Sequence, residues 1–367
     1  MVATVGPEAT LTTPDRRPFV LRAASYAKGW LTRQVRHSAR SVREARKELY
    51  YRLRGTPLGT PVLKAAAVVR SPLETRRRQQ LARTYNARVT RALMHPAKGY
   101  ALIEPGYFPS FEAVLSSCQR LFEVKRAKIE DQVAGAASWS AGKHAKFQSA
   151  KRNFLRNLLS NEDLRRNPEL VDFALSDAAF GVATGYLGTV PYLNRVDLLY
   201  SVAREADDKV ASQLFHVDPE GLTQVKFFIN VFDIGEAEGP FTFIPADATA
   251  RILRDIRAMR NRLGQPHVGR YSDEEIAAVG GTGDIVSIKG PRGAGVAIDT
   301  SRCLHMGSRV QPGAFRLCIY LQYCTTLEPS NVFDVKRFKK DPIKYLAVKH
   351  SLRSAGTEAT APHQMGS

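Results

Sequence analysis

The chain has 367 residues, 44% of them hydrophobic and 24% charged, with a formal net charge of +19 at pH 7. Such a composition excludes a disordered or fibrous chain and leaves room for one large domain or two ordinary ones. No apolar run approaches the roughly 18 residues of a membrane-spanning helix. The first residues carry no charged-then-apolar leader pattern, so a cytoplasmic protein is expected.

The charge lies at one end. Residues 1–100 hold 21 Lys and Arg against 5 Asp and Glu, which is 16 of the 19 net charges. Residues 19–54 are predicted as a long basic helix, because Val20, Ala24, Ala27, Leu31, Val35, Val42, Ala45, Leu49 and Leu53 recur at helical spacing. The run GTPLGTP at 55–61 breaks it, and a second basic helix is predicted over 73–93. Residues 1–94 thus read as a basic helical extension. Its segment 19–94 suits an anionic membrane surface or an acidic partner. A solvated or oligomer-forming arm fits the same composition. The aromatic interleaving or groove-reading motif of a nucleic-acid binder is missing.

From residue 95 the composition becomes ordinary. Helices are predicted across about 110–133 and 169–186. After residue 193 come short β-branched and aromatic runs punctuated by Gly, Pro and Asp: RVDLLYSV, QLFHVD, QVKFFINVFDI, PFTFIPA, DIVSIKG, GVAIDT and FRLCIYLQYCT. One helix, ATARILRDIRAMRNRL, interrupts them. Many short strands without strict β-α alternation indicate a sandwich or barrel, occupying residues 95–335. Residues 336–367 read as a tail that fades into disorder. Cys118, Cys303, Cys318 and Cys324 lack C-x-x-C spacing and are expected to be reduced, mostly buried thiols.

Within QLFHVDPEG, His216 and Asp218 are two apart on a predicted strand and so share a face. A second histidine, His305, follows on a later strand. Two histidines and one carboxylate on one face of a metal make the facial triad of non-haem iron sites, which leaves positions for a bidentate oxo-acid and dioxygen. Such an acid needs a cation at its far end. Arg316, eleven residues beyond His305, offers a planar fork that pairs with a carboxylate and never deprotonates.

With these residues in place, the chain resembles the phytanoyl-CoA dioxygenase family. The resemblance rests on His216-x-Asp218, GEAEGPFTFIPAD, GDIVSIKGPRGAGVAIDTSRCLHMGS and Arg316. It implies a double-stranded β-helix, or cupin-like jelly roll, preceded by the basic helical extension. It also implies Fe(II) on His216, Asp218 and His305, and 2-oxoglutarate gripped by Arg316. The implied reaction hydroxylates a small-molecule or acyl-type substrate with dioxygen and releases succinate and CO2. Retention of Asp218 favours hydroxylation over halogenation. The chain departs from the family pattern at Pro245, Ala246 and Asp247, where a PGSH-like turn is usual.

Lys226 and Asn230 share a strand face and could reach the co-substrate, although plain strand polarity is the simpler account of them. Cys303 could point into the same cavity. His37, His95, His144, His267, His350 and His363 have no partner at ligand spacing and read as surface residues. Two other functions fit part of the pattern. A zinc hydrolase could use the same triad but leaves Arg316 without a role. A catalytically inactive jelly roll could act as a binding module through its basic arm.

Overall fold

The computed structural model describes residues 71–89, 94–109, 111–136, 154–203, 209–218, 223–266, 269–325 and 331–350. The chain divides into two compact units, Met1–Ala66 and Ala67–Ser367. The predicted basic helix 19–54 and the residues after 350 lie outside the described residues.

In chain order the described strands are β1 (Tyr100–Ile103), β2 (Leu155–Asn157), β3 (Tyr192–Val202), β4 (Phe215–His216), β5 (Gln224–Asn230), β6 (Phe241–Ile244), β7 (Arg270–Tyr271), β8 (Val286–Ile288), β9 (Gly295–Ile298), β10 (Leu304–Met306) and β11 (Phe315–Cys324). They form two sheets, ordered β1-β9-β5-β11-β3-β2 and β7-β4-β10-β6-β8. Every named pairing is antiparallel. This is the double-stranded β-helix. The helices are α1 (Pro72–Asn86), α2 (Phe111–Ala136), α3 (Asn161–Arg166), α4 (Pro168–Ala174), α5 (Asp177–Leu187), α6 (Ala246–Arg262), α7 (Asp273–Ala278) and α8 (Pro342–Val348).

Period-two alternation separates the two faces of the larger sheet. On β5, Val225, Phe227 and Ile229 join β11's Leu317, Ile319, Leu321 and Tyr323 in an outer core with the helices. Phe228 of β5, Cys318 and Tyr320 of β11, and Val296 and Ile298 of β9 turn inward to meet Phe241, Phe243 and Ile288 of the smaller sheet. A third cluster joins the smaller sheet's back, through Phe215, Ile244 and Leu304, to Ile252 and Ile256 of α6 and Ile276 of α7. Strands β5 and β9 approach closely. A Cβ on Gly295 would lie 2.4 Å from the Phe228 carbonyl oxygen, so only glycine fits there.

Three strands go beyond the sequence reading: β1, β2 and β7. Each has two to four residues, too few for a period to show. The predicted helix 169–186 is two helices, since Ser176 accepts from the Ala179 amide and starts α5 afresh. An 18-residue window within Pro168–Leu187 nevertheless reaches a mean hydropathy of 1.2, which corrects the expectation that no run is long and apolar enough to cross a membrane. Of that apolar window, 61% is buried within the protein.

Helix α1 packs with the unit that contains the sheets, so the boundary after Ala66 falls ahead of the composition change near residue 94. Its Arg78 is buried and donates to the Val190 and Leu346 carbonyls, at 2.8 Å each, while stacking on Tyr192. At the other end, Asp341 accepts from the Ile343 and Lys344 amides and starts α8, whose Ile343, Leu346, Ala347 and Val348 are buried. Residues 331–350 are therefore packed against the core rather than fading from it.

Candidate metal centre

His216 on β4 and His305 on β10 are direct cross-strand partners. Their rings lie 4.3 Å apart, centroid to centroid. Asp218 follows just past the end of β4, and its amide donates to the Thr300 carbonyl at 2.8 Å. That bond turns the carboxylate toward the rings. Oδ1 lies 3.6 Å from His216 Nε2, and Oδ2 lies 3.2 Å from His305 Nε2. One ligand atom from each residue falls within 4.8 Å of the others, and all three residues are buried.

The protons on the two rings follow from their outer contacts. His216 Nδ1 lies 2.9 Å from the Leu214 carbonyl oxygen, and His305 Nδ1 lies 3.0 Å from that of Cys303. A carbonyl can only accept, so each Nδ1 donates, and in a neutral ring Nε2 then carries a lone pair. Burial, and next the neighbouring His305, push His216 down to about 3, so its ring is neutral near pH 7. Two lone pairs and a carboxylate thus converge on one buried point. Acceptors facing acceptors repel unless positive charge stands among them.

Lys226 supplies one such charge. Its Nζ donates to Asp218 Oδ2 at 2.6 Å. Burial alone would raise the Asp218 carboxyl, but the Lys226 ammonium holds it well below the usual range. Lys226 therefore reaches a ligand carboxylate. Asn230 is at the far end of β5, opposite Cys318, buried and with no partner for its side-chain nitrogen. The Cys303 thiol faces the Lys98 and Gly99 carbonyls instead of the triad.

Arg316 lies on the inward face of β11, 4% exposed. Its guanidinium donates to the Gly239 carbonyl at 2.8 Å and to Ser308 Oγ at 3.4 Å, while Nε has no partner. No carboxylate among the described residues pairs with it. Gly307 makes room for the fork, since a Cβ there would come within 3.3 Å of Nη2. Two residues at this end were not legible in the sequence. Ser308 has a φ of +63°, and its Oγ lies 3.1 Å from Ser201 Oγ. Gln213 donates to the Ser308 carbonyl at 3.1 Å.

The other histidines divide. His95 is exposed, as expected, whereas His350 is 4% exposed between Tyr192 and Phe333, correcting its reading as a surface residue. His37, His144, His267 and His363 lie outside the described residues. All four cysteines are free and buried.

Fold and site together define a jelly-roll protein with a buried two-histidine, one-carboxylate group. No protein-family model and no curated protein matches the sequence. Among solved structures the chain is similar to EctD from S. alaskensis, crystallised with 2-oxoglutarate and 5-hydroxyectoine, at 16% identity over 64% of this chain and 77% of that one, with a TM-score of 0.40. It is also similar to the non-heme alpha ketoglutarate dependent carbocyclase SnoK from nogalamycin biosynthesis, at 16% identity, 64% and 88% coverage and a TM-score of 0.37. AviO1 from Streptomyces viridochromogenes Tue57 gives 16% identity, 64% and 94% coverage and a TM-score of 0.38.

Proposed function

We propose that the protein is an Fe(II)- and 2-oxoglutarate-dependent dioxygenase of the phytanoyl-CoA dioxygenase type, hydroxylating a small-molecule substrate with release of succinate and CO2. The observation that carries this reading is the pairing of two features in one barrel. Three lone-pair ligands converge at one point, and a buried guanidinium with no carboxylate opposite it among the described residues stands on the facing sheet. The donor set of two imidazoles and one carboxylate suits iron(II). Iron bound there supplies the redox chemistry that couples decarboxylation of 2-oxoglutarate by dioxygen to hydroxylation.

The chain's own residues do the rest. The Leu214 and Cys303 carbonyls fix the two imidazole tautomers, so both Nε2 atoms are ready as ligands. Arg316 offers its fork to the distal carboxylate of the co-substrate. Lys226 keeps Asp218 ionised. Phe228, Phe241 and Tyr320 form an apolar wall that limits water near the site. A zinc hydrolase would use the same triad but has no use for Arg316.

His216→Ala and His305→Ala are expected to bind Fe(II) at least tenfold more weakly and to stop succinate release. Far-ultraviolet circular dichroism should stay native, because the strand faces that stabilise the barrel are untouched. Wild-type succinate production in either variant would refute the assignment. The basic segment 19–94 is proposed, from its charge, to contact an anionic membrane surface from the cytoplasm.

A further inference from the structure

The turn between β9 and β10 touches two of the three candidate ligands. The Thr300 carbonyl accepts from the Asp218 amide, and the Cys303 carbonyl accepts from His305 Nδ1. Asp299 at the head of this turn is fully buried, and no ammonium or guanidinium among the described residues pairs with its carboxylate. A buried carboxylate without a cation is costly unless several donors compensate it. Here they do. Oδ1 accepts from both the amide and the hydroxyl of Ser301, and Oδ2 accepts from the Tyr186 hydroxyl at 3.0 Å. The Asp299 carbonyl accepts from the Arg302 and Cys303 amides, closing the turn.

The turn is also fastened from outside. Tyr186 belongs to α5, and its hydroxyl accepts from Arg302 Nη1 at 2.8 Å, while the same Nη1 donates to the Pro96 carbonyl. The Asp299 amide donates to the Gly99 carbonyl at 2.8 Å. Asp299 is thus bound to a helix, to the segment before β1 and to its own turn. The backbone so fixed presents the Thr300 and Cys303 carbonyls to the ligands. An ordinary fold-stabilising carboxylate has no need to stand where both those carbonyls are set.

We propose that Asp299, held by Tyr186, is a positioning residue for the metal centre, shaping the 299–303 turn so that Asp218 and His305 converge. This rests on the metal-site reading above. Removing the carboxylate lets the turn relax and loosens two ligands at once, while His216, held by Leu214, keeps its place.

The test uses the full chain, apo, titrated anaerobically with Co(II), whose d–d absorption reports ligand geometry. Asp299→Ala is expected to weaken Co(II) binding roughly 10- to 100-fold and to shift or broaden the d–d bands. Asp299→Asn should recover part of both, and Tyr186→Phe should show a smaller loss of the same kind. Asp163→Asn breaks a remote ion pair with Lys125. It should lower the melting temperature without changing Co(II) affinity, which separates positioning from general stability. If Asp299→Ala fails to fold, Tyr186→Phe decides. Wild-type affinity and spectrum in the Asp299 and Tyr186 variants, with wild-type Co(II) binding lost in His216→Ala, would overturn this proposal alone. Failure of the wild-type chain to bind Co(II) would overturn the metal-site reading and this proposal together.

Discussion

Arg316 is the residue whose surroundings ask most for a ligand. A buried guanidinium with two neutral acceptors and an idle Nε is far from satisfied. A charge-assisted pair with a carboxylate contributes about 1.5–3 kcal/mol. Arg316→Ala is therefore expected to weaken 2-oxoglutarate binding roughly 10- to 150-fold, and Arg316→Lys to restore only part of it. Anaerobic titration of the iron-loaded protein, followed by its charge-transfer absorbance, measures this directly. Unchanged affinity in Arg316→Ala would remove 2-oxoglutarate from the proposal. His216, Asp218, His305 and Arg316 could be named because spacing and order along the chain are properties of sequence, although Asp218 stands past the end of β4 rather than on the strand expected for it. The ion pair of Lys226 with Asp218 was not, since it depends on how β5 lies against the end of β4. The left-handed backbone at Ser308 was equally hidden, because serine carries no sign of it.

Among the elements, α8 with Lys349 and His350 shows how tertiary context overrides composition. A Lys-rich segment reads as tail, yet its apolar face closes over the core and buries His350 beside Arg78, Tyr192 and Phe333. Burial, and then the Arg78 guanidinium, lower His350 from 6.5 to about 4. The unfolded chain therefore binds a proton between those values that the native protein does not. Stability from this group is present above pH 6.5 and lost as pH falls toward 4, by about 3 kcal/mol at most. His350→Gln should flatten the dependence of urea midpoint on pH across that window. A slope equal to wild type would place the acid sensitivity elsewhere. The strand pairing was only half readable for a related reason. β4 and β10 have two and three residues, and their register is set by the sheet around them.

At the scale of the whole molecule, the boundary after Ala66 makes a prediction about truncation. A chain beginning at Ala67 is expected to keep the full-length melting temperature to within about 2 °C. One beginning at Met94 loses α1, leaves the Val190 and Leu346 carbonyls without Arg78 and uncovers the pocket filled by Tyr85. It should melt roughly 10 °C lower. Equal melting of both truncated chains would show that α1 is dispensable to the core. The Ala67 chain also tests residues 19–66 of the basic segment, because it should pellet with anionic vesicles less than the full-length protein does. The composition change near residue 94 marks where charge ends, which is a different question from where packing begins.

Gly295 imposes a different kind of limit from any of these. Gly295→Ala would drive a methyl group to 2.4 Å from the Phe228 oxygen, and overpacking of this kind costs about 1–3 kcal/mol or more. Chemical denaturation should report that loss while Co(II) binding by the folded fraction stays unchanged. The consequence is evolutionary. Descendants that abandon the metal are free to change His216, Asp218 and His305 but must keep Gly295, since β5 and β9 cannot pair within the larger sheet around a side chain there. Substitution at the triad with glycine retained would mark a retired catalyst, and change at Gly295 a lineage that has rebuilt the barrel.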